Sequence, residues 1–154
     1  MIRRLDHLNI VVSDLATAAD FFVRLGFQAT IAADLDTAFL QQVTGITGAK
    51  GRFIGLRHPA SDLAIELLQF ANSPPAATNL GRANVIGLRH LALEVDDIDV
   101  VVAQLTAQGI TFLGPVQTWN QTGKRLVYFQ GPDGILMELA QYPHPTPRIS
   151  AGDT

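Results

Sequence analysis

Leu8, Ile10 and Val12 alternate with His7, Asn9 and Val11, the two-residue period of a strand with unlike faces. The period then changes. Leu15, Ala18, Phe22 and Leu25 recur every three or four residues, as on one face of a helix. Ser13-Asp14 supplies oxygen side chains where a helix start leaves backbone N–H groups unpaired, and Gly26 stands where a left-handed residue can end the helix. The same succession returns later in the chain. Leu91, Leu93 and Val95 alternate with His90, Ala92 and Glu94; Asp96-Asp97 precedes a face made of Ile98, Val101, Val102 and Leu105; Gly109 closes it. His-Leu opens both segments. Asp14 and Asp97 lie at the same distance from their histidines (14 − 7 = 97 − 90 = 7), and so do Gly26 and Gly109 (26 − 7 = 109 − 90 = 19).

Strand patterns follow each helix, at 27–32, 51–57 and 63–70 in the first copy and at 111–116, 125–130 and 135–141 in the second. His58-Pro59-Ala60-Ser61-Asp62 and Gly131-Pro132-Asp133-Gly134 have turn chemistry. The prediction is an α+β fold of two tandem βαβββ modules. A single domain over 1–154 would comprise module 1 (3–72), a linker (73–86) with Pro74-Pro75, module 2 (87–142) and an extended tail (143–154). Residues 34–50 have no counterpart in the second copy; Phe39, Leu40 and Val43, with Gly45 and Gly48 after them, predict a short helix and loop.

Composition narrows the chemistry. The 154 residues are 47% hydrophobic and 16% charged, as in an ordered globular chain. The net charge is -3 with both signs interspersed, which gives neither a nucleic-acid footprint nor a polybasic membrane patch. No N-terminal signal-peptide pattern or membrane-length apolar run occurs, so cytoplasmic location is the default expectation. The absence of cysteine removes disulfides, thiolate metal sites and a cysteine nucleophile.

Two carboxylates stand out. Glu66 in Ala64-Ile65-Glu66-Leu67-Leu68 and Glu138 in Leu136-Met137-Glu138-Leu139-Ala140 occupy matching places in the last strand of each copy. A carboxylate among apolar strand residues is costly to bury unless a cation or a hydrogen-bond partner meets it. With His7 and His90 at the starts of the first strands, the set is His-Glu-His-Glu. Nitrogen and oxygen donors of this kind suit one divalent ion, Zn, Ni, Co, Mn or Fe. Four protein ligands in an octahedral shell leave two places for substrate oxygens, where an ion polarises a carbonyl. An isolated histidine at a strand start is more often a satisfied polar residue; the repeat-equivalent pair argues for ligation. His58 and His144 have no repeat equivalents and are expected to be solvent-exposed. Asn9 shares a strand face with His7 and, with Trp119 and Arg125, is a candidate substrate contact.

The chain resembles the vicinal oxygen chelate superfamily, which includes glyoxalase I, methylmalonyl-CoA epimerase, extradiol dioxygenases, and bleomycin- and fosfomycin-resistance proteins. The resemblance covers nearly the whole chain. It rests on Asp6-His7-Leu8, Glu66-Leu67, Arg89-His90-Leu91-Ala92, and Gly131-Pro132-Asp133-Gly134 followed by Met137-Glu138-Leu139. It implies modules pairing into a cupped, partly closed mixed sheet with helices outside and the ion inside. It also implies a homodimer, a small-molecule substrate, and Glu138 or Glu66 as a base that moves a proton next to a carbonyl. The full ligand set favours a glyoxalase-like lyase or epimerase. An Fe(II) extradiol-type dioxygenase and a small-molecule binding or resistance protein are the alternatives.

Overall fold

In a computed structural model of the protein, the described residues are 3–4, 6–75 and 81–143. His144, most of the expected tail and residues 76–80 of the linker lie outside them. The chain divides into two compact units, up to 78 and from 79 onward, and each carries one copy of the repeat.

The first unit runs β1 (His7–Val11), α1 (Leu15–Arg24), β2 (Gln28–Leu35), α2 (Thr37–Thr44), β3 (Gly51–Arg57) and β4 (Ala64–Phe70). The second runs β5 (His90–Glu94), α3 (Ile98–Ala107), β6 (Gln117–Trp119), β7 (Lys124–Gln130) and β8 (Leu136–Gln141). Each unit forms one mixed sheet of four strands, in the orders β1-β4-β3-β2 and β5-β8-β7-β6, and neither closes on itself. In both, the first strand lies parallel to the last, and the remaining pairings are antiparallel. The fold is α+β with tandem modules. Among the described residues no helix is long and apolar enough to cross a membrane.

The helix boundaries follow from the residues that mark them. Asp14 caps α1 by accepting the Thr17 N–H at 2.6 Å, and Asp97 caps α3 by accepting the N–H groups of Asp99 and Val100 at 3.0 and 3.1 Å. At the far ends Gly26 (φ +92°) and Gly109 (φ +85°) turn left-handed. The N–H of Phe27 then reaches Phe22 O, and that of Ile110 reaches Leu105 O, at 3.1 and 3.0 Å. Buried Leu15, Ala18, Phe21 and Phe22 fasten α1 to its sheet, where Phe22 meets Phe21 and Phe27 edge-on, both at 5.3 Å between ring centres. Ile98 and Leu105 do the same for α3.

A second fastening recurs in both copies. The side-chain oxygen of Gln69 accepts the Leu15 N–H at 3.3 Å while its amide donates to Ser13 O at 2.7 Å. The side-chain oxygen of Gln141 accepts the Ile98 N–H at 3.0 Å. Each glutamine follows its strand glutamate by three residues (69 − 66 = 141 − 138 = 3) and ties the last strand to the first turn of the helix.

Three expectations need correction. Residues 111–116 do not form a strand: Phe112 makes an isolated bridge with Phe129, and the sheet edge is β6 at 117–119. Gly114-Pro115 explains this, since proline offers no N–H to a ladder. Strand β2 runs on to Leu35, three residues beyond the predicted end, paired with β3 on both sides of a register shift between Ala29 and Ile31. His58 is half-buried, not solvent-exposed: its ring packs against Phe27 at 5.1 Å, and its Nδ1 accepts the Ala60 N–H at 3.1 Å.

Candidate metal-binding and active site

The parallel pairing of first and last strands brings each histidine to its glutamate. Asn9 lies opposite Glu66 and Ala92 opposite Glu138. Each histidine precedes that position by two residues, so it shares the face with the carboxylate. His7 Nε2 stands 3.3 Å from Glu66 Oε2, and His90 Nε2 stands 3.2 Å from Glu138 Oε2. Among the described residues the donors come as these two pairs, and no group of three or more His, Asp and Glu side chains is gathered where it could hold a metal ion.

The environments of the two pairs differ. His7 Nδ1 lies 3.0 Å from Asp6 Oδ2. A carboxylate there accepts, so the ring proton belongs on Nδ1 and Nε2 turns a lone pair toward Glu66. Two acceptor atoms 3.3 Å apart require a second ring proton or a cation between them. The Asp6 carboxyl is lowered from its ordinary value, first by this bond and then by Arg4. Glu66 is about a third exposed, at 35%, and among the described residues His7 is its ion-pair partner.

In the second module Glu138 is buried at 4% side-chain exposure, and Lys124 Nζ donates to its Oε1 at 2.6 Å. That bond is the largest cause raising the Lys124 ammonium above its ordinary value, offset in part by burial. Tyr128, directly opposite Glu138 in the β7–β8 ladder, faces His90 at 5.1 Å between rings. Its hydroxyl stays protonated to higher pH than an ordinary phenol, first through burial and then through the Glu138 charge. The tight turn Pro132–Gly134, with Asp133 at φ +54° and the Gly131 N–H on Ile135 O, sets this register.

The candidate substrate residues separate by strand parity. Asn9 is exposed on the His7 face. Trp119, half exposed, pairs with Lys124 in the β6–β7 ladder and so lies on the Glu138 face. Arg125 points to the opposite side, where its guanidinium grips both oxygens of Asp99 at 2.7 and 2.9 Å. The cation beside Glu138 is therefore Lys124, one residue earlier. Counting by twos from Tyr128 was the signal that could have found it.

Residues 4–139 match the family described as the Glyoxalase/Bleomycin resistance protein/Dioxygenase superfamily. The chain belongs to this superfamily. Within it, the chain is 32% identical to the 2-epi-5-epi-valiolone epimerase of Actinomyces sp, over 92% of this chain and 80% of that one. It is 28% identical to the mitochondrial methylmalonyl-CoA epimerase of Dictyostelium discoideum, over 91% of this chain and 79% of that one. A solved glyoxalase family protein from Bacillus cereus has a TM-score of 0.82 and 29% identity, covering 92% of this chain and 95% of the other. The superfamily contains epimerases and also binding and resistance proteins, so membership fixes the fold and leaves the reaction to the side chains.

Proposed function

We propose that this superfamily member is a divalent-metal-dependent enzyme of the vicinal oxygen chelate type, moving a proton at a carbon next to a carbonyl. His7, Glu66, His90 and Glu138 are the ligands of that reading. The observation that carries it is the spacing within each pair. Donors about 2.1 Å from one ion and at a right angle to each other stand about 3 Å apart, and the two Nε2–Oε2 distances are 3.3 and 3.2 Å. The donor chemistry agrees: Nδ1 of His7 is occupied by Asp6, which leaves Nε2 as the ligating atom. The two epimerases among the relatives point to the same reaction class.

A divalent ion bound there supplies Lewis-acid polarisation of a substrate carbonyl. The chain supplies the rest. Glu138, buried and held by Lys124, is the fixed carboxylate. Glu66, half-exposed and without an ammonium or guanidinium contact among the described residues, is the carboxylate that takes the α-proton and returns it. Asp6 keeps the His7 ring oriented, and Tyr128 borders Glu138 with a hydroxyl that stays protonated.

Two measurements test this. Elemental analysis should find a divalent ion in protein purified without added metal, and His7→Ala or His90→Ala should lose it. Metal-loaded protein in D2O should exchange the α-proton of small carbonyl compounds, with Glu66→Gln slowing exchange by about a hundredfold or more while keeping its ion. Oxygen uptake with catechols and no exchange would favour the dioxygenase class instead. Stoichiometric ligand binding without turnover would favour a binding protein.

A further inference from the structure

We infer that Thr30 is a specificity-determining residue and that it receives a hydroxyl carried by the substrate on the carbon next to the one that loses its proton. The inference deepens the reading above, resting on Glu66 as the carboxylate that moves the proton, and it names the substrate class: neutral β-hydroxy carbonyl compounds. Every residue that forms the contact belongs to the first unit, and the contact itself involves no ion.

The register of the first sheet builds the contact. Asn9, Glu66 and Gly55 lie opposite one another on β1, β4 and β3, so their side-chain positions share one face. On β2 the pairing jumps from Ala29–Leu56 to Ile31–Gly55, which leaves Thr30 as the extra residue of a β-bulge. A bulge re-aims side chains, and this one turns Thr30 onto the Glu66 face together with Ile31. A Cβ on Gly55 would meet Thr30 Oγ1 at 2.9 Å and Ile31 Cγ2 at 3.0 Å. Opposed Cβ positions on neighbouring strands are about 5 Å apart, so the hydroxyl stands on the order of one strand spacing from the stem of Glu66, with only a glycine between them. A bulge that merely blunted the edge strand would need no glycine on its neighbour.

The chemistry fits a neutral ligand group. Asn9 and Thr30 are exposed, and among the described residues no side-chain hydrogen bond engages the Thr30 hydroxyl. A hydroxyl both donates and accepts, so Thr30 can pair with a substrate hydroxyl in either sense. An anionic group at this place would face the Glu66 charge and be repelled. Arg57 shares the face two residues along β3, and its charge acts on Asp6. A carbonyl compound whose α-carbon meets Glu66, and whose next carbon carries a hydroxyl, spans the gap over Gly55.

The test follows α-proton exchange in D2O for 4-hydroxy-2-butanone and for 2-butanone, with full-length protein supplied with Zn2+. Beyond the ratio of the uncatalysed rates, wild type should favour the hydroxylated ketone in kcat/KM by about tenfold or more. Thr30→Val should lose most of that preference, and Thr30→Ser should keep most of it. In parallel, isotope-labelled protein without added metal is titrated with 4-hydroxy-2-butanone. The Ile31 and Gly55 amide signals should shift in wild type and far less in Thr30→Val. Wild type without the preference, or Thr30→Val with it intact, overturns the inference and leaves the proton-transfer reading standing. Amide shifts that depend on Thr30, with no exchange of either ketone, overturn that reading and uphold the contact. Neither exchange nor shifts overturns both.

Discussion

The two modules share a topology and a register, yet they hold their matching carboxylates in opposite ways. In the first, Glu66 is a third exposed, and an aromatic cluster of Phe21, Phe22 and Phe27 packs the helix to its sheet. In the second, Glu138 is buried with Lys124 fixed to it, and the helix is held by aliphatic Ile98 and Leu105. Repetition conserved the positions of the donors and left their surroundings free to diverge. One carboxylate is therefore partly open to solvent, and the other is enclosed and held by an ammonium. The residues before the histidines diverge in the same sense: Asp6 orients His7, whereas Arg89 stands at that place beside His90.

The contrast in packing can be broken most forcefully at equivalent helix positions, Phe22 and Leu105 (22 − 7 = 105 − 90 = 15). Phe22→Ala should cost about 3–5 kcal/mol in urea denaturation and Leu105→Ala about 3 kcal/mol. Equal losses would show that the edge-to-face rings add nothing beyond their area.

The electrostatic contrast comes next. Lys124→Met strands a buried carboxylate and should destabilise metal-free protein by about 2–4 kcal/mol at pH 7, since removing one partner of a buried pair leaves an uncompensated charge. Glu66→Gln should change stability by less than about 1 kcal/mol. Adding Glu138→Leu to Lys124→Met should restore most of the loss, because a hydrophobic pair can replace a buried ion pair at little cost. A Lys124→Met protein as stable as wild type would erase the distinction between the modules.

The glutamine ties give a smaller effect of the same kind in both copies. Gln69→Ala loses two hydrogen bonds and Gln141→Ala loses its bond to the helix start; each should cost about 1–2 kcal/mol. Unequal effects beyond that range would mean that one module depends on the tie and the other does not.

The smallest effects appear on acidification. The Thr17 amide lowers the Asp14 carboxyl, and the hydrogen bonds from Arg125 lower that of Asp99, both below the ordinary 3.8. A folded-state value below the unfolded one means a stabilisation that is complete above about pH 4 and lost as pH falls through the folded values. NMR titration should place both midpoints below 3.8. Arg125→Gln should return Asp99 toward 3.8 and leave Asp14 unmoved.

Much of this fold could be anticipated because the signals were local or repeated. Helix caps at Asp14 and Asp97 and the glycines closing both helices act within one turn. His7 and His90 open the first strand of each copy, and Glu66 and Glu138 occupy matching places in the last strand, so those positions are expressed twice. What escaped depended on finer geometry. The edge strand β6 was displaced because Pro115 interrupts an otherwise strand-like run. Arg125 is a candidate contact by sequence and Lys124 beside it is the cation on the Glu138 face, because in a strand a single residue decides which face a side chain serves, and that phase is fixed only by the turn at 131–134. The Gln69 and Gln141 ties were present in the repeat as Glu-x-x-Gln, though their partners are helix backbone groups that no residue type announces.

Joining the first strand of each module to its last has a consequence for synthesis. His7 leaves the ribosome 59 residues ahead of Glu66 (66 − 7 = 59) and His90 leaves it 48 ahead of Glu138 (138 − 90 = 48). The paired donors thus come into being only when a module is finished. A nascent or truncated chain therefore carries each imidazole without the carboxylate that meets it in the finished module.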